Sequence, residues 1–256
     1  MNYNGIKLSA IKPNSLWVIY NRQETRDKRH KKKKLIVICF DTETTGLPEG
    51  RNTSIYETNK WPYIVQLSFM MYDTEQKKIV QEYDEIIKIG ENIELTPKSV
   101  EIHGITREII EKRGIPIAEA LYAFKSALQH SEYSIGHNLS FDKRLLIVES
   151  IRNKGFDSND DSIVQFHFGK EFCTMLNSVN VCKIKMLRKD GCGSVYYKFP
   201  TLLELHKHLF GFKPHNAHNS KVDVLICLRC YCKLAFNYDI SRESREFRRM
   251  FREFCT

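Results

Sequence analysis

Apolar residues along the chain fall into short blocks with two different spacings. Leu35–Phe40 (Leu-Ile-Val-Ile-Cys-Phe) is an unbroken β-type run that ends abruptly at Asp41 and Glu43. Tyr63–Tyr72 and Lys78–Lys88 are further strand candidates, and the turn formers Asp73–Gln76 between them predict an antiparallel hairpin. Together these runs would make a sheet of three strands with the two acids at one end. Tyr133–Gly136 reads as a shorter strand, and Glu171–Leu176 is strand-like. Helical spacing takes over elsewhere. Glu119–Gln129 carries Leu121, Phe124, Ala127 and Leu128 on one face. A helix is predicted from Phe141 to Asn153, with Ser140 as its N-cap and Leu145, Leu146, Val148 and Ile151 as its apolar positions. Another begins near Val222 and runs to about Phe236, with Val222, Leu225, Ile226, Leu228 and Tyr231 as its stripe. Thr96-Pro97 marks the start of a short helix, and Pro200-Thr201 opens one that runs to about Leu209 before Gly211 stops it. Pro48–Pro62, Gly155–Gly169 and Asp190–Ser194 are rich in turn formers.

Candidate chemistry gathers at the ends of these elements. Residues two apart on a strand share a face, so Asp41 and Glu43 point the same way. Two arrangements fit: a pair of solvated acids, or a pair held around a cation, because ionised carboxylates at close range repel. Asp142 falls in the first turn of its predicted helix, where the macrodipole favours negative charge for structural reasons as well. Asp223 lies near the start of the later helix, with His218 on the loop leading in. Hard oxygen ligands suit Mg²⁺ or Mn²⁺ rather than zinc. Two such ions about 3.5–4 Å apart can clamp the attacking and leaving oxygens of an in-line phosphoryl displacement. A histidine suits the proton acceptor that the attacking water needs.

Three of these stretches, taken together, resemble the motifs of the DEDDh 3′-to-5′ exonucleases. The first is Asp41-Thr42-Glu43-Thr44-Thr45-Gly46-Leu47, the second His137-Asn138-Leu139-Ser140-Phe141-Asp142, and the third His218 followed by four residues and Asp223. His103-Gly104-Ile105-Thr106 matches a lesser motif between the first two. The resemblance covers roughly residues 35–236. It implies an α/β, RNase H-like fold of three layers, a mixed five-stranded sheet with helices on both faces. It also implies that Asp41 bridges two Mg²⁺ ions, for which Mn²⁺ would substitute. Glu43 and Asp223 would complete the site of the nucleophilic water, Asp142 would serve the second metal, and His218 would be the general base. Thr44, Leu47, His103, Asn138 and Phe141 would line the pocket for the 3′-terminal nucleotide. Lys221, two before the last acid, departs from the small or acidic residue common there and is a candidate phosphate contact. Residues 154–199 are longer and richer in cysteine than the family minimum.

Composition sharpens this picture. A formal net charge of +9 around an acidic centre suits a polyanion held by its phosphates. Arg22, Arg26, Lys28, Arg29 and Lys31–Lys34 form a basic arm, read either as a nucleic-acid contact, a nuclear address or a solvated segment, with a linker at about residues 21–33. The expected organisation is an extension over 1–34, an exonuclease domain over 35–236 and a basic amphipathic helix over 237–256. Arg242, Arg245, Arg248, Arg249 and Arg252 supply the basic residues of that helix, and Phe247, Met250, Phe251 and Phe254 an aromatic stripe that docks on the core. No apolar run approaches a membrane span of about 20 residues, and no secretory signal pattern opens the chain. Eight cysteines then read as reduced thiols in an intracellular protein, cytoplasmic or nuclear. Cys227, Cys230 and Cys232 fall on one helix with no second pair at ligand spacing, and are expected to be buried thiols rather than a zinc site. His206 and His208 are expected at the surface. The expected partner is nucleic acid with a free 3′ end, DNA rather than RNA, with a separate polymerase or repair protein as a further candidate. RNA 3′-end trimming and a catalytically silent nucleic-acid-binding module are the alternatives.

Overall fold

The computed structural model describes residues 35–153, 166–188 and 193–255. The basic arm, its linker and most of the loop expected at 155–169 lie outside the described residues, as does most of the turn at 190–194.

The strand at Leu35–Phe40 runs on through both acids as β1 (Ile36–Thr44). It is followed by β2 (Ile64–Asp73) and β3 (Lys78–Ile86), the predicted hairpin. Then come α1 (Pro97–His103), α2 (Arg107–Arg113) and α3 (Ile117–Gln129). Next are β4 (Tyr133–Gly136), α4 (Leu139–Arg152) and β5 (Lys170–Cys173). Two helical turns, Thr174–Asn177 and Val179–Cys182, lead to a ribbon of β6 (Lys185–Leu187) and β7 (Val195–Tyr197). α5 (Leu202–Phe210), α6 (Ser220–Phe236), a turn at Ile240–Glu243 and α7 (Arg245–Cys255) complete the order.

The main sheet has five strands in the order β3-β2-β1-β4-β5. β1 and β2, and β2 and β3, pair antiparallel, whereas β1–β4 and β4–β5 are parallel, so the sheet is mixed as expected. Alternation along β1 divides the core. Ile36, Ile38 and Phe40 join the cluster built on α3 and α4, with Phe40 edge-on to Phe124 at 4.9 Å. Val37 and Cys39 enter the cluster built on α5, α6 and α7. One strand therefore seeds both apolar layers, and its nine residues must be apolar until the point where it leaves the core.

Local differences from the sequence reading have physical causes. α4 starts two residues earlier than predicted, and Ser140 lies inside it rather than capping it. The residue before the helix is Asn138 in the left-handed region (φ 67°), a conformation asparagine tolerates better than most residues. The segment Glu171–Leu176 is a strand only to Cys173, because Thr174 turns inward to bond the His137 ring and starts a helical turn. The C-terminal helix is broken at Ser244, whose Oγ accepts the Phe247 N–H and caps α7 afresh. α2, capped by Thr106, and the β6–β7 ribbon have no counterpart in the sequence reading.

His206 corrects the expectation of a surface residue: it is fully buried. Its Nδ1–H donates to the Phe212 carbonyl (2.9 Å) and its Nε2 accepts from Arg229 Nη1 (3.2 Å). Burial holds this ring neutral, with a pKa pushed down to about 4. Arg229 in turn grips Asp239 through Nε and Nη2 (2.9 and 2.8 Å) and lies 4.0 Å above the Phe210 ring and 4.6 Å above that of Phe251. One guanidinium thus fastens α5, α6, α7 and the turn before α7. Phe247, Met250 and Phe251 are buried, so the aromatic stripe does dock on the core. Cys227, Cys230 and Cys232 are buried free thiols, and they form no metal-ligand group among the described residues.

Replacing Arg229 by alanine strands the Asp239 carboxylate and should lower the unfolding free energy by about 3 kcal/mol. Urea denaturation measures it, and a loss below about 1 kcal/mol would show that the cluster is not what holds the C-terminal elements.

Candidate metal centre

β1 carries one pair of acids, two residues apart. Asp41 and Glu43 continue the face of Val37 and Cys39, toward α6. Thr42, between them, faces the other side, where its backbone N–H (3.1 Å) and its hydroxyl (2.7 Å) both donate to Asp142 Oδ1 in the first turn of α4. On the near side, Ser220 opens α6 by donating its hydroxyl to the Asp41 carbonyl (2.7 Å) and its N–H to Gln66 Oε1 (3.3 Å). Asp223 follows one turn on, so a helix start bearing an acid is pinned against each side of the strand end. A shift in the β1–β2 register just after Glu43 ends the regular pairing at this point.

The ligand oxygens of Asp41, Glu43 and Asp223 lie within 4.8 Å of one another. Asp142 is not part of that tight group, but it is close enough to add to the charge felt by Asp41 and Glu43. Burial is the first cause of every shift here, and mutual repulsion adds to it. Asp41 is held well above the ordinary carboxylate range by burial and by Asp142, Asp223 and Glu43 in turn. Glu43 is pushed up to about 9 by burial, Asp223 and Asp142. Burial raises Asp142 to about 7 against the opposing pull of the Thr42 hydroxyl, and Asp223 to about 7 against the His218 N–H. Among the described residues no lysine or arginine pairs with any of the four. Four acids with hard oxygen donors and no balancing side-chain cation fit a divalent ion of the Mg²⁺ or Mn²⁺ type.

The other residues singled out in the sequence fall as follows. His218 is exposed on the loop before α6, in the left-handed region (φ 74°), and its backbone N–H reaches Asp223 Oδ2 at 3.3 Å. Thr44 is buried, its hydroxyl donating to the Gly46 carbonyl at 2.7 Å, while Leu47 beyond it is 81% exposed. α1 is tied to the end of β1 by Thr96, which donates to the Thr45 carbonyl at 3.2 Å. His103 closes that helix and is buried; its Nδ1 accepts the Ile105 N–H (3.0 Å). Burial holds its pKa below the ordinary value, with the Thr44 backbone pulling the other way. Asn138 is exposed at the end of β4, and Phe141 is half-buried against the α3–α4 cluster. Lys221 is paired with Glu82 and lies 4.5 Å over the Phe254 ring, so it is committed within the protein rather than free for a phosphate. A cleft of about 640 Å³ near Tyr63 and Arg152 is lined by none of the four acids. Its Glu149 is already engaged by the Ile64 N–H and Arg152.

Sequence reasoning missed three supports of this centre. Thr42 was legible in principle, since alternation sends it to the face opposite Asp41. Ser220 and the end of α7 were not. The Cys255 carbonyl accepts the His215 N–H (3.0 Å) and the Phe254 carbonyl accepts from Asn216 Nδ2 (3.1 Å), so the last turn of α7 braces the loop that carries His218.

An acidic strand end is thus flanked by two acid-bearing helix starts on a five-stranded mixed sheet. A family profile described as "Exonuclease", of the RNase T type, matches residues 38–231. The chain belongs to that family, within the DEDDh exonucleases of the RNase H-like superfamily, and is thus a nuclease of the hydrolase class. The fold is similar to a structure of exonuclease I, with a TM-score of 0.57 and 18% identity over 85% of this chain and 43% of the other. It is also similar to E. coli exonuclease I in complex with a dT13 oligonucleotide (TM-score 0.55, 16% identity, 85% of this chain and 46% of the other). A zinc-bound E. coli exonuclease I complex with single-stranded DNA gives a TM-score of 0.54 at 19% identity, over 85% of this chain and 43% of the other. The chain spans less than half the length of these structures. No curated protein matches it by sequence.

Two outcomes follow from the geometry. Carboxyl pKa values raised in the folded state make a contribution to stability that is full below about pH 4. It is lost as pH rises through about 7 for Asp142 and Asp223 and about 9 for Glu43. The melting temperature in EDTA should therefore fall between pH 5 and 9 by several degrees, on the order expected for a few kcal/mol, and Mn²⁺ should restore it most at the alkaline end. A metal effect independent of pH would count against these acids as the ligands. Deleting residues 253–256 should accelerate amide hydrogen exchange across 215–219 while leaving β1 protected; equal protection in both proteins would show the brace to be idle.

Proposed function

We propose that residues 35–236 form a two-metal-ion 3′-to-5′ exonuclease that shortens single-stranded or frayed DNA one nucleotide at a time. The observation that carries this reading is the gathering of Asp41, Glu43, Asp142 and Asp223 at one strand end with no side-chain cation among the described residues to balance them. Bound there, Mg²⁺ (or Mn²⁺ in its place) would polarise the scissile phosphate and favour ionisation of the attacking water. Asp41, between the others, would share both ions; Glu43 and Asp223 would hold one and Asp142 the other. His218, exposed and anchored through its own backbone, would accept the proton of the attacking water. The bond from phosphorus to the penultimate 3′ oxygen breaks, that oxygen takes up a proton, and a nucleoside 5′-monophosphate leaves.

Thr44, His103, Asn138, Leu47 and Phe141 would receive the terminal nucleotide. His103, buried at the end of α1 and beside the Thr44 backbone, would form the floor of that pocket. Leu47, with most of its surface in solvent, offers an apolar face to a base. DNA is preferred to RNA as the substrate because the similar structures are named as complexes with DNA oligonucleotides. α7 belongs to the catalytic unit as its brace. The free thiols suit a reducing, intracellular setting, and among the described residues no helix is long and apolar enough to cross a membrane.

The test is digestion of 5′-labelled oligonucleotides of matched DNA and RNA sequence with Mg²⁺. Asp41→Asn should reduce release of mononucleotides to background, and His218→Ala should slow it about 10²–10⁴-fold, both without loss of fold by circular dichroism. A ladder that shortens from the 5′ end would overturn the polarity, and faster turnover of RNA would overturn the substrate.

A further inference from the structure

The β6–β7 ribbon exposes apolar side chains on both of its faces. Register pairs Lys185 with Tyr197, Met186 with Tyr196 and Leu187 with Val195. Alternation then places Lys185, Leu187, Val195 and Tyr197 on one face and Met186 and Tyr196 on the other. All six are exposed, Leu187 to 67%, and Phe199 just beyond the ribbon is 58% exposed. Two strands with both faces in water are marginal on their own, and a contiguous apolar surface of this kind marks a binding site.

Charge says what covers it. From Thr174 to Leu203 the sequence has Lys183, Lys185, Arg188, Lys189 and Lys198 against a single acid, Asp190. Lys183, Lys185 and Arg188 are exposed, and Lys198 is paired with Glu204. The Arg188 guanidinium lies 5.8 Å from the Tyr196 ring centre. Protein interfaces deplete lysine at their cores, whereas lysines set among aromatic rings are the make-up of a single-strand groove, phosphates to the charges and bases to the rings.

The root of the ribbon is fixed beside the metal centre. The His137 ring accepts from the Thr174 hydroxyl at Nδ1 (2.9 Å) and donates from Nε2 to the Pro200 carbonyl (3.0 Å), joining the chain before the ribbon to the chain after it. The next residues are Asn138 and the helix that carries Asp142. Lys143, adjacent to that acid, pairs with Glu171 of β5.

We infer that the β6–β7 ribbon is a platform for the single-stranded segment of the substrate upstream of the scissile bond. Bases stack on Tyr197 and Phe199, and Lys183 and Lys185 meet the phosphates between them. This rests on the nuclease reading above, so the two are tested on different substrates. A p-nitrophenyl ester of thymidine 5′-monophosphate occupies the metal centre alone, and a labelled oligothymidylate of 15 nucleotides, bound in EDTA and followed by anisotropy, also reaches the ribbon. The full chain is compared with Tyr197→Ala/Phe199→Ala, with Lys183→Glu/Lys185→Glu, and with the conservative pair Tyr197→Phe/Lys185→Arg. The alanine pair should weaken binding of the oligonucleotide on the order of tenfold. The glutamate pair should also lower the salt slope by about 0.7 for each phosphate no longer neutralised. The conservative pair should bind as the native chain does, and ester hydrolysis should be unchanged in all three. Native affinity in both disruptive variants would overturn the platform, as would loss of self-association in place of loss of DNA binding. Failure of the native chain to hydrolyse the ester would instead remove the nuclease reading and leave the binding comparison standing.

Discussion

Like charges confined at the end of a buried strand are the constraint on which the rest depends. β1 must be apolar for most of its length to sit between two helical layers, and must then turn acidic within two residues. Asp41 and Glu43 cannot relax away from each other, because the pleat fixes them on one face. The helix that supplies Asp142 is held by the Thr42 hydroxyl and N–H on that carboxylate, and the helix that supplies Asp223 by the Ser220 hydroxyl on the Asp41 carbonyl. The scaffold thus supplies the energy that brings the acids together, and a cation recovers part of it.

The same strand explains why both layers are needed. The α3–α4 side carries one acid and the α5–α7 side another, so loss of either layer would open the centre. The arginine clamp at Arg229 is distant in sequence from the acids of β1 but fixes α6, the helix bearing Asp223, against its neighbours. Stability and site geometry are joined through this helix.

The sheet was legible because its signals are local. Apolar runs, the Asp73–Gln76 turn and the caps at Thr96 and Thr201 each declare an element within a few residues. The acids were legible because they sit where those elements end. What escaped was decided by contacts across the fold. Ser140 looks like a cap, but Asn138, two residues earlier, takes the left-handed turn and the helix starts just after it. His206 looks like a surface residue beside Lys207 and His208, but an arginine from another helix and a carbonyl from the following loop satisfy both ring nitrogens. The ribbon strands are three residues each, too short to announce themselves by alternation.

The backbone at His218 has a further consequence. A side chain with a Cβ in the left-handed region costs roughly 1 kcal/mol that glycine would not, and Asn216, two residues earlier, is in the same region. The loop is therefore less stable than a glycine-containing version of itself, and the strain falls on the residue whose imidazole stands in solvent. A chain selected only to survive heating would be expected to drift toward glycine there, relieving the backbone as it lost the imidazole.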